Sequence, residues 1–137
     1  MPKTQNRTPQ ILKKYEKELL ADWLGELAAG SDGRISDTEL RTQAAEFLKL
    51  LQNSAQNGNF SDFEGQGWAP VRDFLDEVSR TRVAQGFSSD QTATFILSFK
   101  RPLFSRLRKE MAADADALAE ETWSATELLD KLGLHTV

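Results

Sequence analysis

Residues 86–111, GFSSDQTATFILSFKRPLFSRLRKEM, contain the most apolar run of the chain. Their apolar side chains recur every three or four positions, and Phe95 and Phe99 add a second stripe about a quarter-turn away. Ser88 and Gln91 predict the start of this helix, because they have the spacing of a capping box. A helix that is apolar over so much of its circumference should lie at the centre of the fold.

Pro102 lies inside this helical pattern. Its ring would clash with the carbonyl group of Ser98 and leave that carbonyl without its helical partner. Either a new helix begins at Pro102, or one helix kinks there. Arg101 is a poor N-cap and the apolar stripe keeps its phase across the proline, so the sequence favours a kinked central helix. Such a kink disturbs regular packing and tends to leave space beside the helix.

Residues that favour helix ends divide the rest of the chain. Thr8 is suited to the N-cap of the first helix, and Ser36 and Glu39 have capping-box spacing at the start of the second. Gly86 is suited to end the third helix. A change from basic to acidic side chains predicts a break near residues 110–114, between the fourth and fifth helices. Since no strand-like alternation is present, the sequence predicts an all-α fold of about five main helices.

The composition limits the classes of function. The chain has 137 residues, of which 39% are hydrophobic and 28% charged, as expected for one globular domain. The formal net charge of -4 argues against nucleic-acid binding, and no apolar run is long enough to cross a membrane. The absence of cysteine excludes disulfides and thiol catalysis. The N-terminal residues lack the apolar core of a signal peptide, so we expect a cytoplasmic protein.

Patterns typical of catalysis and metal binding are missing. The only histidine, His135, lies close to the end of the chain, which argues against a histidine-based triad or a two-histidine metal site. Residues 31–40 can be aligned with an EF-hand calcium loop, but its first and third ligand positions then fall on Ala28 and Gly30, which have no side-chain oxygen. A tight loop before a capped helix explains the same residues. We therefore expect no catalytic residues, no metal site and no enzyme activity.

Two groups of side chains suggest binding. Arg72, Arg80 and Arg82 could form an anion site, although ion pairs with neighbouring surface carboxylates are the more common arrangement. Aromatic side chains of the central helix and the residue before it could line a pocket, although such stripes more often pack in a core. The candidate pocket residues are Phe87, Phe95, Phe99 and Phe104.

Several segments together resemble the N-terminal sensor domain of RsbR-type proteins, the stressosome components that act as co-antagonists in the bacterial general stress response. These segments are ILKKYEKELLADWL, ISDTELRTQAAEFLKLL, VRDFLDEVSRTRVAQGFSSDQTATFILSFKRPLFSRL and WSATELLDKLGL. The resemblance covers roughly residues 9–134, and its most specific parts are SRTRVAQGFS and TFILSFKRPLF.

The resemblance implies a globin-like helical domain, typically without haem, that forms a homodimer. It also implies a helical linker to a C-terminal STAS domain, a stressosome scaffold protein, and a kinase-like switch protein that phosphorylates threonines of the STAS domain. Related domains also precede histidine-kinase modules, so the output domain is not fixed by this segment. On this basis we expect a flexible N-terminus at residues 1–8, the sensor domain at 9–133, and the start of the linker at 134–137.

The sequence argues against haem in such a fold, because a globin binds iron through a histidine on a core helix. Only Tyr15, Met111 and His135 could substitute for that histidine. We therefore expect no cofactor. The alternatives that stay open are a domain that senses a gas through haem or another small ligand, and a structural dimerisation module without a ligand. The apolar residues expected at a dimer interface are Leu107, Met111, Trp123 and Leu129.

Overall fold

The computed structural model describes residues 7–29, 35–57 and 63–136. Within these ranges the chain forms seven α-helices and one 3-10 turn, and no strand. The helices are α1 (Thr8–Lys14), α2 (Glu16–Ala29), α3 (Asp37–Asn57), α4 (Ala69–Ala84), α5 (Ser89–Leu97), α6 (Lys100–Glu110) and α7 (Ala115–His135), and the 3-10 turn is Gln66–Trp68. The all-α prediction is confirmed, but the predicted first and fourth helices are each divided into two.

The first helix begins differently from the prediction. The N-cap position is Arg7, which makes no side-chain capping bond, and Thr8 is already helical and buried. The backbone N–H and the hydroxyl group of Thr8 both donate to Glu121 Oε1, at 3.0 and 2.7 Å. The prediction that Thr8 is the N-cap is therefore wrong, because a carboxylate from α7 satisfies the helix start instead.

Replacing Glu121 with glutamine should lower the free energy of unfolding by about 1–2 kcal/mol, since the amide oxygen can still accept but the two bonds lose their charge assistance. Urea unfolding followed by circular dichroism measures the change. The matched control is Glu120→Gln, because Glu120 is exposed on the same helix and should tolerate the change. Equal stabilities of the two variants would contradict the capping role of Glu121.

The central helix is interrupted at Ser98 and Phe99, between α5 and α6. Both residues keep right-handed helical dihedral angles, and the Phe99 N–H bonds to the Ile96 carbonyl at 3.1 Å, a tighter pattern than in an α-helix. Pro102 lies in the first turn of α6, where its missing N–H is least costly. The break thus includes Ser98, whose carbonyl group cannot accept a hydrogen bond from Pro102. A single helix kinked at Pro102 is not confirmed.

An aromatic cluster connects the first half of the chain to this interruption. The indole of Trp23 is fully buried, and its ring centroid lies 5.5 Å from that of Phe47 and 5.1 Å from those of both Phe95 and Phe99. Its Nε1–H donates to the Ser98 hydroxyl at 2.8 Å. The cluster therefore fixes α2 and α3 against the point where α5 gives way to α6.

Helix α7 packs against α4, α5 and α6, and its most extensive contact is with α5. The predicted break near residues 110–114 is confirmed, because α6 ends at Glu110 and the Asp114 side chain caps α7 by accepting the Ala117 N–H at 3.0 Å. Gly133 permits the close approach of α5, since a Cβ atom there would lie 3.0 Å from Leu97 Cδ2.

Candidate ligand pocket

A cavity of about 230 Å³ lies where α2, α3, α4 and α5 meet. Its walls are mainly apolar and include Leu27, Ile35 and Leu40. Ile35 and Leu40 come together because α3 starts between them, with the Ser36 hydroxyl accepting the Glu39 N–H at 3.1 Å. This half of the predicted capping box is present, whereas the Glu39 carboxylate accepts from Gln85 Nε2 at 3.2 Å. The start of α3 thereby forms one wall of the cavity.

The end of α4 brings the Phe87 ring to the cavity. Gly86 adopts the left-handed region, with φ of 93°, as its predicted role at the end of this helix requires. The Gly86 N–H then bonds to the Val83 carbonyl at 3.0 Å, and the Phe87 N–H bonds to the Arg82 carbonyl at 2.9 Å. This pair of bonds is a Schellman motif, which turns the chain back over the last turn of the helix. As a result, Arg82 Cζ lies 5.3 Å from the centroid of the Phe87 ring.

The start of α5 positions the second ring of the cavity. The Ser88 hydroxyl and the Gln91 side chain form the predicted capping box, with the Gln91 Oε1 accepting the Ser88 N–H at 2.8 Å. One turn further on, Phe95 is buried against Arg82, whose Cζ lies 4.4 Å from the ring centroid. The guanidinium group is therefore close to two aromatic rings, an arrangement that favours a cation.

Arg82 is the only charged side chain that both lines the cavity and is buried, among the residues that the structure describes. It is 4% exposed, its Nη2 donates to Gln43 Oε1 at 2.8 Å, and its Nε has no hydrogen-bond partner in the described ranges. Burial lowers the pKa of the guanidinium, and the attraction of the Glu39 carboxylate opposes that shift. Because an arginine keeps its proton in proteins, the cavity contains a buried positive charge.

The other two arginines of the predicted anion site have different roles. The Arg72 guanidinium donates to the backbone carbonyls of Phe63 and Gly65, and Arg80 forms an exposed ion pair with Glu77 at 3.1 Å. The structure therefore does not bring the three arginines together. The surface ion-pair interpretation describes Arg80, whereas Arg82 points into the fold.

Two of the four candidate pocket residues, Phe87 and Phe95, line the cavity. Phe99 is fully buried in the aromatic cluster, and Phe104 is half-buried against the core without lining the cavity. Ser98 and Thr94 add hydroxyl groups to the lining, and neither was among the candidates. The positions of these two hydroxyl groups depend on where α5 begins and where the central helix is interrupted, because these two points determine which face of α5 lines the cavity.

The four residues expected at a dimer interface are not equally available. Leu107, Met111 and Leu129 are at most 3% exposed within one chain, because they pack in its core. Trp123 on α7 is 66% exposed. Of these four side chains, the tryptophan alone could contact a second copy without rearrangement of the core.

The residues considered as haem ligands lie outside the cavity lining. Tyr15 lies beneath Arg106, whose Cζ is 4.5 Å from the ring centroid, and Met111 is buried. His135 Nε2 lies 2.9 Å from Asp76 Oδ1. In the described ranges no three His, Asp or Glu side chains are grouped to hold a metal ion. Residues 31–34 of the segment compared with a calcium loop fall outside those ranges. None of the described helices is long and apolar enough to cross a membrane.

Comparison with known proteins gives one match. No curated protein and no solved structure matched the chain. The model of the family described as RsbT co-antagonist protein rsbRD N-terminal domain matches residues 17–137, a range that contains the whole cavity and α7. This confirms the resemblance seen in the sequence, and it indicates a regulatory sensor domain of the stressosome RsbR type. The chain belongs to the RsbT co-antagonist protein rsbRD N-terminal domain family.

Proposed function

We propose that this chain is the signal-input domain of an RsbR-type regulator of the general stress response, and that it acts on a C-terminal STAS domain through a helical linker. The observation that carries the proposal is the position of α5, which lines the cavity on one side and makes the most extensive contact with α7 on the other. A change at the cavity therefore has a short physical route to the helix that leads to the linker.

The contact between Leu97 and Gly133 is the central step of this route. Leu97 ends α5, and its side chain lies so close to Gly133 of α7 that a Cβ atom at Gly133 would be 3.0 Å from Leu97 Cδ2. Because packed interfaces switch between discrete arrangements rather than deform continuously, a shift of α5 would move α7 to a second position. The stress cue would bias the equilibrium between the two positions, and the STAS domain would report it.

Reconstitution of the stressosome tests this function. A full-length regulator and a form lacking residues 7–136 would each be assembled with the scaffold protein. Phosphorylation of the STAS threonines by the kinase-like switch protein would then be followed before and after stress. We expect the shortened form to assemble and to be phosphorylated, but to lose the dependence on stress. An unchanged stress response would contradict the role as signal input.

The proposed domain is globin-like but works without haem. In support, the sequence has a single histidine, and the structure directs its Nε2 to Asp76 rather than to the cavity. Protein purified from haem-supplied cells should show no Soret band, because Tyr15, Met111 and His135 all lie outside the described cavity lining. A stoichiometric Soret band would contradict this prediction and favour the haem-based sensor.

The proposed assembly is a homodimer that includes the exposed Trp123 of α7. Replacing Trp123 with glutamate should shift the mass measured by light scattering from dimer to monomer at micromolar concentration, since a charge would be buried without a partner. The matched control is Val83→Glu, which places the same charge at a 63% exposed apolar residue of α4 and should leave the dimer intact. Monomeric wild-type protein across this range would refute the dimer.

A further inference from the structure

The Arg82 guanidinium forms no ion pair within the described part of the chain. Its one hydrogen bond to these residues is to a neutral amide, Gln43, and its Nε is buried without a partner. The Glu39 carboxylate attracts the charge but accepts its hydrogen bond from Gln85 and forms no ion pair with Arg82 among the described residues. A buried charge that forms no ion pair is costly, so an anion that reached Arg82 would add the ion pair that the described residues do not form.

The space beside this charge is apolar and compact. The Phe87 and Phe95 rings lie close to the guanidinium, and Leu40 continues the apolar wall. A volume of about 230 Å³ exceeds the about 150 Å³ of an apolar cavity that holds benzene, so it suits a small ring. The exposed residues Gln91 and Thr94 lie at its edge, so a ligand can enter from solvent.

We propose that this cavity binds a small apolar carboxylate, whose carboxylate group pairs with Arg82 and whose apolar body packs against Phe87, Phe95 and Leu40. The guanidinium fork suits a carboxylate, and the surrounding rings exclude water from the pair. Glu26 is the one carboxylate among the described lining residues. Its partner is an exposed arginine, with Arg101 Nε 3.7 Å from Glu26 Oε2. Its charge is thus partly offset at the edge of the cavity.

Binding is measured by isothermal titration calorimetry of the chain with phenylacetate, and with phenylacetamide as the neutral analogue of the same shape. We expect one phenylacetate per chain and at least about ten-fold weaker binding of phenylacetamide, because only the carboxylate carries a charge. Equal binding of the two compounds, or no phenylacetate binding at millimolar concentration, would overturn the proposal.

Two variants test the role of Arg82. Arg82→Met keeps an unbranched apolar stem but removes the charged guanidinium group, and it should weaken phenylacetate binding at least about ten-fold. Arg80→Met, at the exposed arginine of the same helix, should bind as the wild type does. If Arg82→Met fails to fold, Thr94→Trp serves instead, since it fills the edge of the cavity from an exposed residue and should abolish binding. Undiminished binding by a folded Arg82→Met or Thr94→Trp variant would contradict the site.

The idea that a bound ligand is the stress cue rests on the function proposed above. The binding of the ligand does not depend on that function. The calorimetry concerns the chain alone, so a failure to detect binding would not affect the reconstitution experiment. Conversely, phenylacetate could bind as predicted while the STAS phosphorylation stays unaltered. Failure of the calorimetry would contradict the ligand site, and unaltered phosphorylation would contradict its role in signalling.

Discussion

The Trp23→Ala variant is expected to lose about 3–5 kcal/mol of unfolding free energy, which is a large part of the about 5–15 kcal/mol that stabilises a typical domain. Trp23 is fully buried and its indole contacts three phenylalanine rings. The substitution leaves a cavity at the junction of four helices and removes the donor for the Ser98 hydroxyl. The loss should appear as a lower urea midpoint, with the largest change in near-ultraviolet circular dichroism.

Trp123→Ala is the matched control, because it makes the same change at a tryptophan that is 66% exposed. Its effect should stay within about 0.5 kcal/mol in the monomer. The comparison should be made at a concentration where the protein is monomeric, so that loss of a dimer contact does not contribute. Similar losses from the two variants would contradict the central position of the aromatic cluster.

The Gly133→Leu variant is expected to lose up to about 3 kcal/mol, since a side chain at this position must displace Leu97 from a packed interface. Even a Cβ atom would lie 3.0 Å from Leu97 Cδ2 and 3.2 Å from Cγ. The double variant with Leu97→Ala should recover part of the loss, because the smaller side chain makes room for the new one. Unfolding free energies of the two single variants and the double variant give the coupling energy between the residues.

Gly25→Leu is the control for this series. Gly25 also lies within a helix, but no atom of the described residues approaches within 4 Å of a Cβ built there. Leucine should therefore stabilise α2 by about 0.5–1 kcal/mol, because glycine is the poorer helix former. If Gly133→Leu were as stable as Gly25→Leu, the close approach of α5 and α7 would be refuted.

Local signals in the sequence predict most of the helix ends. The capping box at Ser88, the left-handed Gly86 and the break after Glu110 are all present as expected, because each depends on neighbours within a few residues. Thr8 is different, since its partner Glu121 is 113 positions away along the chain. The division of the first helix at Tyr15 likewise has no local glycine or proline to indicate it.

The interruption of the central helix was only partly predictable. The sequence indicates a disturbance caused by Pro102, and the structure places it at Ser98 and Phe99, one turn earlier. The break occurs there because the helical bond that a proline removes ends at the carbonyl four residues before it. A local pattern cannot predict the contribution of the Trp23 indole, which donates a hydrogen bond to the Ser98 side chain from another helix.

Arg82 is the member of the candidate site that sequence reasoning undervalued. It follows Leu75 and Val78 at helical spacing on the buried face of α4, and that spacing alone could have indicated an inward position. The preference of arginine for the surface outweighed this signal. The cavity itself could not be predicted, because Leu27, Ile35 and Phe87 meet only when four helices are assembled.

The most direct test of signal transfer through α7 is the rate of STAS phosphorylation in reconstituted stressosomes that contain a full-length regulator with Gly133→Ala. This change adds one methyl group against the flexible end of Leu97, so it should shift the α5–α7 contact without unfolding the domain. We predict an altered stress-dependent rate for Gly133→Ala and a wild-type rate for Gly25→Ala. Wild-type rates for both variants would contradict the account.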